Sequence, residues 1–214
     1  MILYRPVGLE ELVLIYRAEV RRFPPRLPEQ PIFYPVLNVE YAEQIARDWN
    51  TKSGSMAGYV TEFEIDDAYA SSFEVQQVGG RQHLELWVPA ESLDEFNSHI
   101  QGSIRLVSAF FGPDFAGVVP SGFSLRGKNA REQLETLRGI HSYSLMDFHG
   151  EVTANHEAVF VHFPYWEQIA NDPVLTAIRE IWSGAFPSTF LGVHASPSPR
   201  PCEGRGRDVN GRDV

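Results

Sequence analysis

Apolar residues recur along the chain in two rhythms, one of about 3.6 residues and one of two. Ile2-Leu3-Tyr4-Arg5 reads as a short strand ended by Pro6. Leu9, Leu12, Val13 and Tyr16 share a helical spacing and predict a helix over 9–20. Pro24, Pro25, Pro28 and Pro31 then forbid regular helix, so an extended loop is expected. Residues 32–37 (Ile-Phe-Tyr-Pro-Val-Leu) form a strand candidate, with Pro35 pointing to an edge or an irregular end. Asn38 is a helix cap for 39–50, where Tyr41, Ala42, Ile45, Ala46 and Trp49 make one stripe.

The two-residue rhythm dominates next. Ala57 to Ile65 alternates and predicts a half-exposed strand, with Val60, Glu62 and Glu64 on its outer face. Phe73 to Val78 is another strand, and Gly79-Gly80 makes a turn. His83 to Pro89 alternates again, with Leu84, Leu86 and Val88 on one face and His83, Glu85 and Trp87 on the other. A short helix over 90–96 and an apolar strand over 104–111 follow. This order lacks regular βαβ alternation, so the fold class is α+β, with a mixed or antiparallel sheet and few helices.

The turn-rich stretch from Gly112 to Gly122 places a boundary or long loop near residue 118. Beyond it, 119–194 reads as a small α/β region: a helix over 128–139, a strand over 158–166 and a helix over 174–182. Residues 195–214 are Pro, Gly, Arg and Ser with almost nothing to bury, and are expected to be disordered.

Composition narrows the function classes. Of 214 residues, 43% are hydrophobic and 21% charged, as in an ordinary globular protein. No apolar run approaches the roughly 18 residues that span a bilayer. Twenty-eight acids against eighteen bases give a net charge of −10, which repels phosphate backbones and argues against non-specific nucleic-acid binding. One cysteine, Cys202, cannot form an internal disulfide and fits a reducing compartment. The first residues carry no charged leader with a long apolar core, so no signal peptide is read and the expected location is cytoplasmic.

Familiar catalytic motifs are absent: no Gly-x-Gly-x-x-Gly, no Walker loop, no His-Glu-x-x-His, no Gly-x-Ser-x-Gly. His141, His149, His156 and His162 are spaced seven, seven and six apart, but no acid or Cys stands at a tight ligand spacing, so no metal site is assigned. Glu85 lies inside the otherwise apolar Leu84-Glu85-Leu86-Trp87-Val88. Its face is either solvated or lines a cleft walled by Trp87. Arg5 either makes a surface ion pair or holds a phosphate or carboxylate through its fork of donors. Phe33, Tyr34 and Tyr41 are core residues or a stacking platform, with core favoured for Tyr41.

Together these features resemble the ADP-ribosyltransferase fold. In that family a basic residue stands on a first short strand, an aromatic-rich strand leads into a helix, and a Glu stands on a later strand. The corresponding segments here are Leu3-Tyr4-Arg5-Pro6, then 32–38 with 40–46, and His83-Leu84-Glu85-Leu86-Trp87-Val88-Pro89. Residues 1–118 are also similar to small bacterial proteins labelled "ADP-ribosylation/crystallin J1", through Phe23-Pro24-Pro25-Arg26-Leu27-Pro28, 41–50 and 85–91. The label is shared with larger all-helical ADP-ribosylglycohydrolases, whose metal-binding Asp cluster has no counterpart here.

The resemblance implies an NAD-dependent ADP-ribosyltransferase or NAD glycohydrolase. Glu85 would be catalytic, and Arg5, Phe33, Tyr34, Tyr41 and Trp87 would bind NAD. The acceptor would be a protein, a small molecule or water. The family's Ser-Thr-Ser strand is missing, and His83 stands where arginine-modifying members carry a second acid, which counts against arginine as acceptor. The same departures leave open a non-catalytic nucleotide- or protein-binding module of this fold, of toxin or immunity type.

Overall fold

A computed structural model describes residues 1–194. The elements run β1 (Ile2–Val7), α1 (Leu9–Arg17), β2 (Ile32–Phe33), α2 (Val39–Asp48), β3 (Ala57–Ile65), α3 (Asp67–Ala70), β4 (Val75–Gln77), β5 (Leu84–Leu86), β6 (Val88–Pro89), α4 (Leu93–Ser98) and β7 (Ile100–Phe111). Four helices follow: α5 (Ala130–Tyr143), α6 (Leu145–Ala154), α7 (His156–Ile169) and α8 (Pro173–Ala185). The fold class is α+β, and every strand pairing among the described residues is antiparallel. The tail expected to be disordered, 195–214, lies outside the described residues.

β3 is the central strand, flanked by β1 and β7. It is not half-exposed as its alternation suggested: only Glu64 faces solvent. The reason is cover on both faces. Tyr41, Ala42 and Ala46 of α2 pack with Val60 and Val107 on one side. On the other, α1 and α7 close over the sheet, where the Tyr59 hydroxyl donates to the Val161 carbonyl at 2.9 Å. The α2 approach is close enough that a Cβ on Gly58 would lie 2.1 Å from the Ala46 carbonyl oxygen.

The strand expected at 158–166 is instead the middle of α7. Val159, Val161, Phe163 and Trp166 are all buried, so the helix is covered nearly all round and carries no amphipathic signature. An apolar run of that kind, rich in β-branched and aromatic residues, does not distinguish a buried helix from a buried strand. The described part of the C-terminal region is therefore helical, not α/β. Its core is continuous with that of the first part: Leu134, Phe160 and Trp182 belong to the same buried cluster as Leu3, Ile15 and Phe63. No helix among the described residues is long and apolar enough to cross a membrane.

Candidate functional site

A break in strand pairing next to β1 makes the site. Tyr4 exchanges both backbone bonds with Val36, at 2.9 and 2.7 Å. In antiparallel register the next residue of β1 facing that edge is Pro6, opposite Tyr34. Pro6 has no N–H to donate, so the ladder ends and the chains part. The Tyr34 carbonyl accepts from the Arg5 side chain instead, through Nη1 at 3.2 Å.

Residues 32–36 run antiparallel to 85–89 in a single register: Val36 opposite Glu85, Phe33 opposite Val88, Ile32 opposite Pro89. That register sets Tyr34 across from Trp87, and their rings meet edge to face with centroids 5.9 Å apart. Alternation puts Tyr34, Val36, Glu85 and Trp87 on one face and Phe33, Leu86 and Val88 on the other. Glu85 lies two strand spacings from Tyr4, roughly 10 Å across the sheet.

The parted strands leave a cavity of about 320 Å³. Arg5, Tyr34 and Glu85 all line it, with Glu11, Ile45 and Asn50 around them. Glu85 is only 8% exposed, so the carboxylate itself is not solvated, although Trp87 on the same face is half exposed. Burial pushes its carboxyl above the usual carboxylate range, while Arg5, His83 and the Trp87 indole pull it back down. Tyr34, 36% exposed, is the aromatic the cavity can use.

The other expected site residues stand elsewhere. Phe33 points into the core, fully buried against Phe23 and Phe96, with the Arg5 guanidinium 5.1 Å from its ring centre. It supports Arg5 from below and cannot stack on a ligand; its place opposite Val88 decides this. Tyr41 is buried too, with its ring stacked on His83 at 4.2 Å between centroids, so one face is already taken. Burial and the charge of Glu85 raise its hydroxyl pKa. Trp87 is about half exposed outside the cavity and borders it through Tyr34.

Two charged residues were not anticipated. Glu11, in the first turn of α1, accepts from Arg5 Nε and Nη2, each at 3.4 Å. Arg26, in the proline-rich loop, brings Nη1 to 3.8 Å from the same carboxylate. Arg5 is thus neither a surface ion pair nor a free anion-binding fork; it ties β1, α1 and the Tyr34 segment together. No spacing rule links positions 5, 11 and 26, and only the loop's return to β1 brings them together.

The four spaced histidines are dispersed over α5, α6 and α7, and among the described residues no group of three His, Cys, Asp or Glu side chains could hold a metal ion. Comparison of the chain with protein-family models, with curated proteins and with solved structures gives no match.

Proposed function

We propose that the chain binds NAD with its nicotinamide–ribose half in the Arg5–Tyr34–Glu85 cavity and breaks the bond between them. The observation that carries this reading is the convergence on one cavity of a buried carboxylate, an available aromatic ring and an arginine from three separate strand segments. The cavity volume sits at the small end of the roughly 300–1,000 Å³ usual for ligand pockets, which suits one half of a dinucleotide.

In that reaction the bond from ribose C1′ to the nicotinamide nitrogen breaks with its electron pair going to nitrogen. Nicotinamide leaves neutral, and the ribose carries the positive charge of an oxocarbenium ion. Water or an acceptor group then adds to C1′ and gives its proton to solvent. Glu85 supplies fixed negative charge beside the developing cation, from a side chain that is itself largely buried. Arg5 and His83 favour the ionised carboxylate against the cost of burial. Tyr34 offers its ring to nicotinamide.

A second reading draws support from Arg5. Its donors are engaged by Glu11 and by the Tyr34 carbonyl. A site organised in that way also suits a module that binds a nucleotide without cleaving it. Nicotinamide release and NAD binding, measured together on the full chain, separate the two. Under the catalytic reading, nicotinamide appears, and Tyr34→Ala weakens NAD binding about five- to 150-fold, as stacking losses of about 1–3 kcal/mol require. Binding without release supports the module. Neither binding nor release defeats both.

A further inference from the structure

Two guanidinium groups converge on one carboxylate beside the cavity. Glu11 Oε1 lies 3.4 Å from Arg5 Nε and 3.8 Å from Arg26 Nη1. Charge-assisted N–H···O bonds are ordinarily about 2.7–2.9 Å. A single carboxylate is therefore shared loosely between two forks. The Arg5 and Arg26 side chains are only 12% and 9% exposed. Arg26 Nη2 is satisfied by Gln30 Oε1 at 3.0 Å, but Arg26 Nε is buried with no acceptor. Two buried guanidinium groups thus share the Glu11 carboxylate, and a buried donor is left over. Arg5 and Glu11 line the cavity, whereas Arg26 does not and meets the site through Glu11.

We infer that Arg5 and Arg26 form a phosphate subsite, suited to the pyrophosphate of a dinucleotide, in which Glu11 is the resident counter-ion until the ligand displaces it. A phosphate group presents more oxygens than a carboxylate and can serve two planar forks at once. It also carries more negative charge than the one carboxylate the two forks share. Glu11 sits in the first turn of α1, so a change of its rotamer frees both forks without moving the sheet. The identity of the ligand as a dinucleotide rests on the NAD reading; the subsite itself rests on the charges and distances around Glu11.

The test titrates inorganic pyrophosphate, ADP and NAD separately into the full chain by calorimetry. Wild type, Glu11→Gln, Arg26→Ala and Arg26→Lys are compared, with folding checked by circular dichroism. Glu11→Gln is expected to bind pyrophosphate about tenfold more tightly, because the competing charge is gone. Arg26→Ala is expected to lose at least tenfold. Arg26→Lys keeps the charge but not the fork and should fall between; it carries the test if the alanine variant fails to fold. Weaker pyrophosphate binding in Glu11→Gln, unchanged binding in the Arg26 variants, or no binding in either wild type or Glu11→Gln overturns the subsite. If pyrophosphate and ADP bind through Arg26 while NAD does not bind, the subsite stands and the NAD reading falls. If NAD binds and Arg26→Ala leaves its affinity unchanged, the subsite falls and the NAD reading stands.

Discussion

Two buried polar clusters, one in each half of the molecule, are built on opposite terms. In the helical half, His162 is fully buried. Its Nε2 accepts from the Val118 N–H at 2.8 Å, and its Nδ1 faces Gln133 Oε1 at 3.0 Å. Gln133 spends its amide hydrogens on the Val118 and Lys128 carbonyls, so its oxygen is the acceptor and Nδ1 carries the proton. Every polar group has a partner and no charge is needed. Burial holds the His162 pKa down at about 3. In the sheet half, Glu85 is buried with its pKa pushed up, Arg26 keeps an unpartnered Nε, and Arg5 and Arg26 share Glu11 at long distances. A cluster that closes all its hydrogen bonds fixes the chain; one that leaves a buried donor unpaired and a carboxylate loosely shared has the chemistry to meet a ligand. His162 therefore serves the fold by stapling the 112–129 loop to α5 and α7, and the Glu85 cavity is where binding is sought.

The comparison breaks most visibly if His162 is removed. His162→Ala leaves a void and strands the Val118 N–H and the Gln133 oxygen, and is expected to cost about 3–5 kcal/mol. A urea midpoint measures this. Gly117→Ala should act through the same contact, since its Cβ would lie 2.1 Å from His162 Nε2 at a backbone φ of +76°. A loss under about 1 kcal/mol for both would mean the cluster is not a staple.

Acid sharpens the contrast next. The unfolded His162 protonates near pH 6.5, whereas the folded one resists until about pH 3. Between those values the unfolded chain binds more protons. The stability His162 contributes is complete above pH 6.5 and drains away as pH falls through the window, on the order of 5 kcal/mol in all. Glu85 runs the other way. Its folded pKa is raised, so its favourable term is present at low pH and is lost as pH rises through the folded value. Stability curves of wild type and of a folded His162→Gln variant between pH 4 and 7 should differ in slope; parallel curves would contradict the assignment.

The smallest effect is the most telling of the three. Glu85→Gln removes a charge whose burial is unfavourable, so at pH 7 the melting temperature should hold or rise, by no more than about 1 kcal/mol in stability. A fall of 2 kcal/mol or more would place Glu85 among the structural groups with His162.

Part of this arrangement is legible in the residues themselves. Alternation over 83–89 separates Glu85 and Trp87 from Leu84, Leu86 and Val88, and the structure keeps that division. Pro35 announces an irregular strand end, but Pro6 does not end β1, which continues to Val7 opposite Tyr59; Pro6 only breaks the pairing toward Tyr34, where the cavity opens. What was hidden depends on packing from distant segments. β3 looked half-exposed because α2 and α7 cannot be placed over it from local pattern. α7 looked like a strand because burial on all sides erases its period. Position 33 alternates with 34, so one of that pair had to face the core; the register with Val88 settles which. Glu11 and Arg26 meet Arg5 only through tertiary closure.

The most direct measurement is turnover and NAD affinity on wild type and Glu85→Gln, side by side. The amide keeps the size of the side chain and loses the charge that opposes the oxocarbenium ion. Removing one preorganised electrostatic group typically lowers the rate by about 10²–10³. NAD affinity should change far less, because the ground state lacks that developing charge. A wild type that releases nicotinamide and a Glu85→Gln variant that binds NAD but has lost at least a hundredfold in rate is the result expected. Equal turnover in the two proteins would contradict the role given to Glu85.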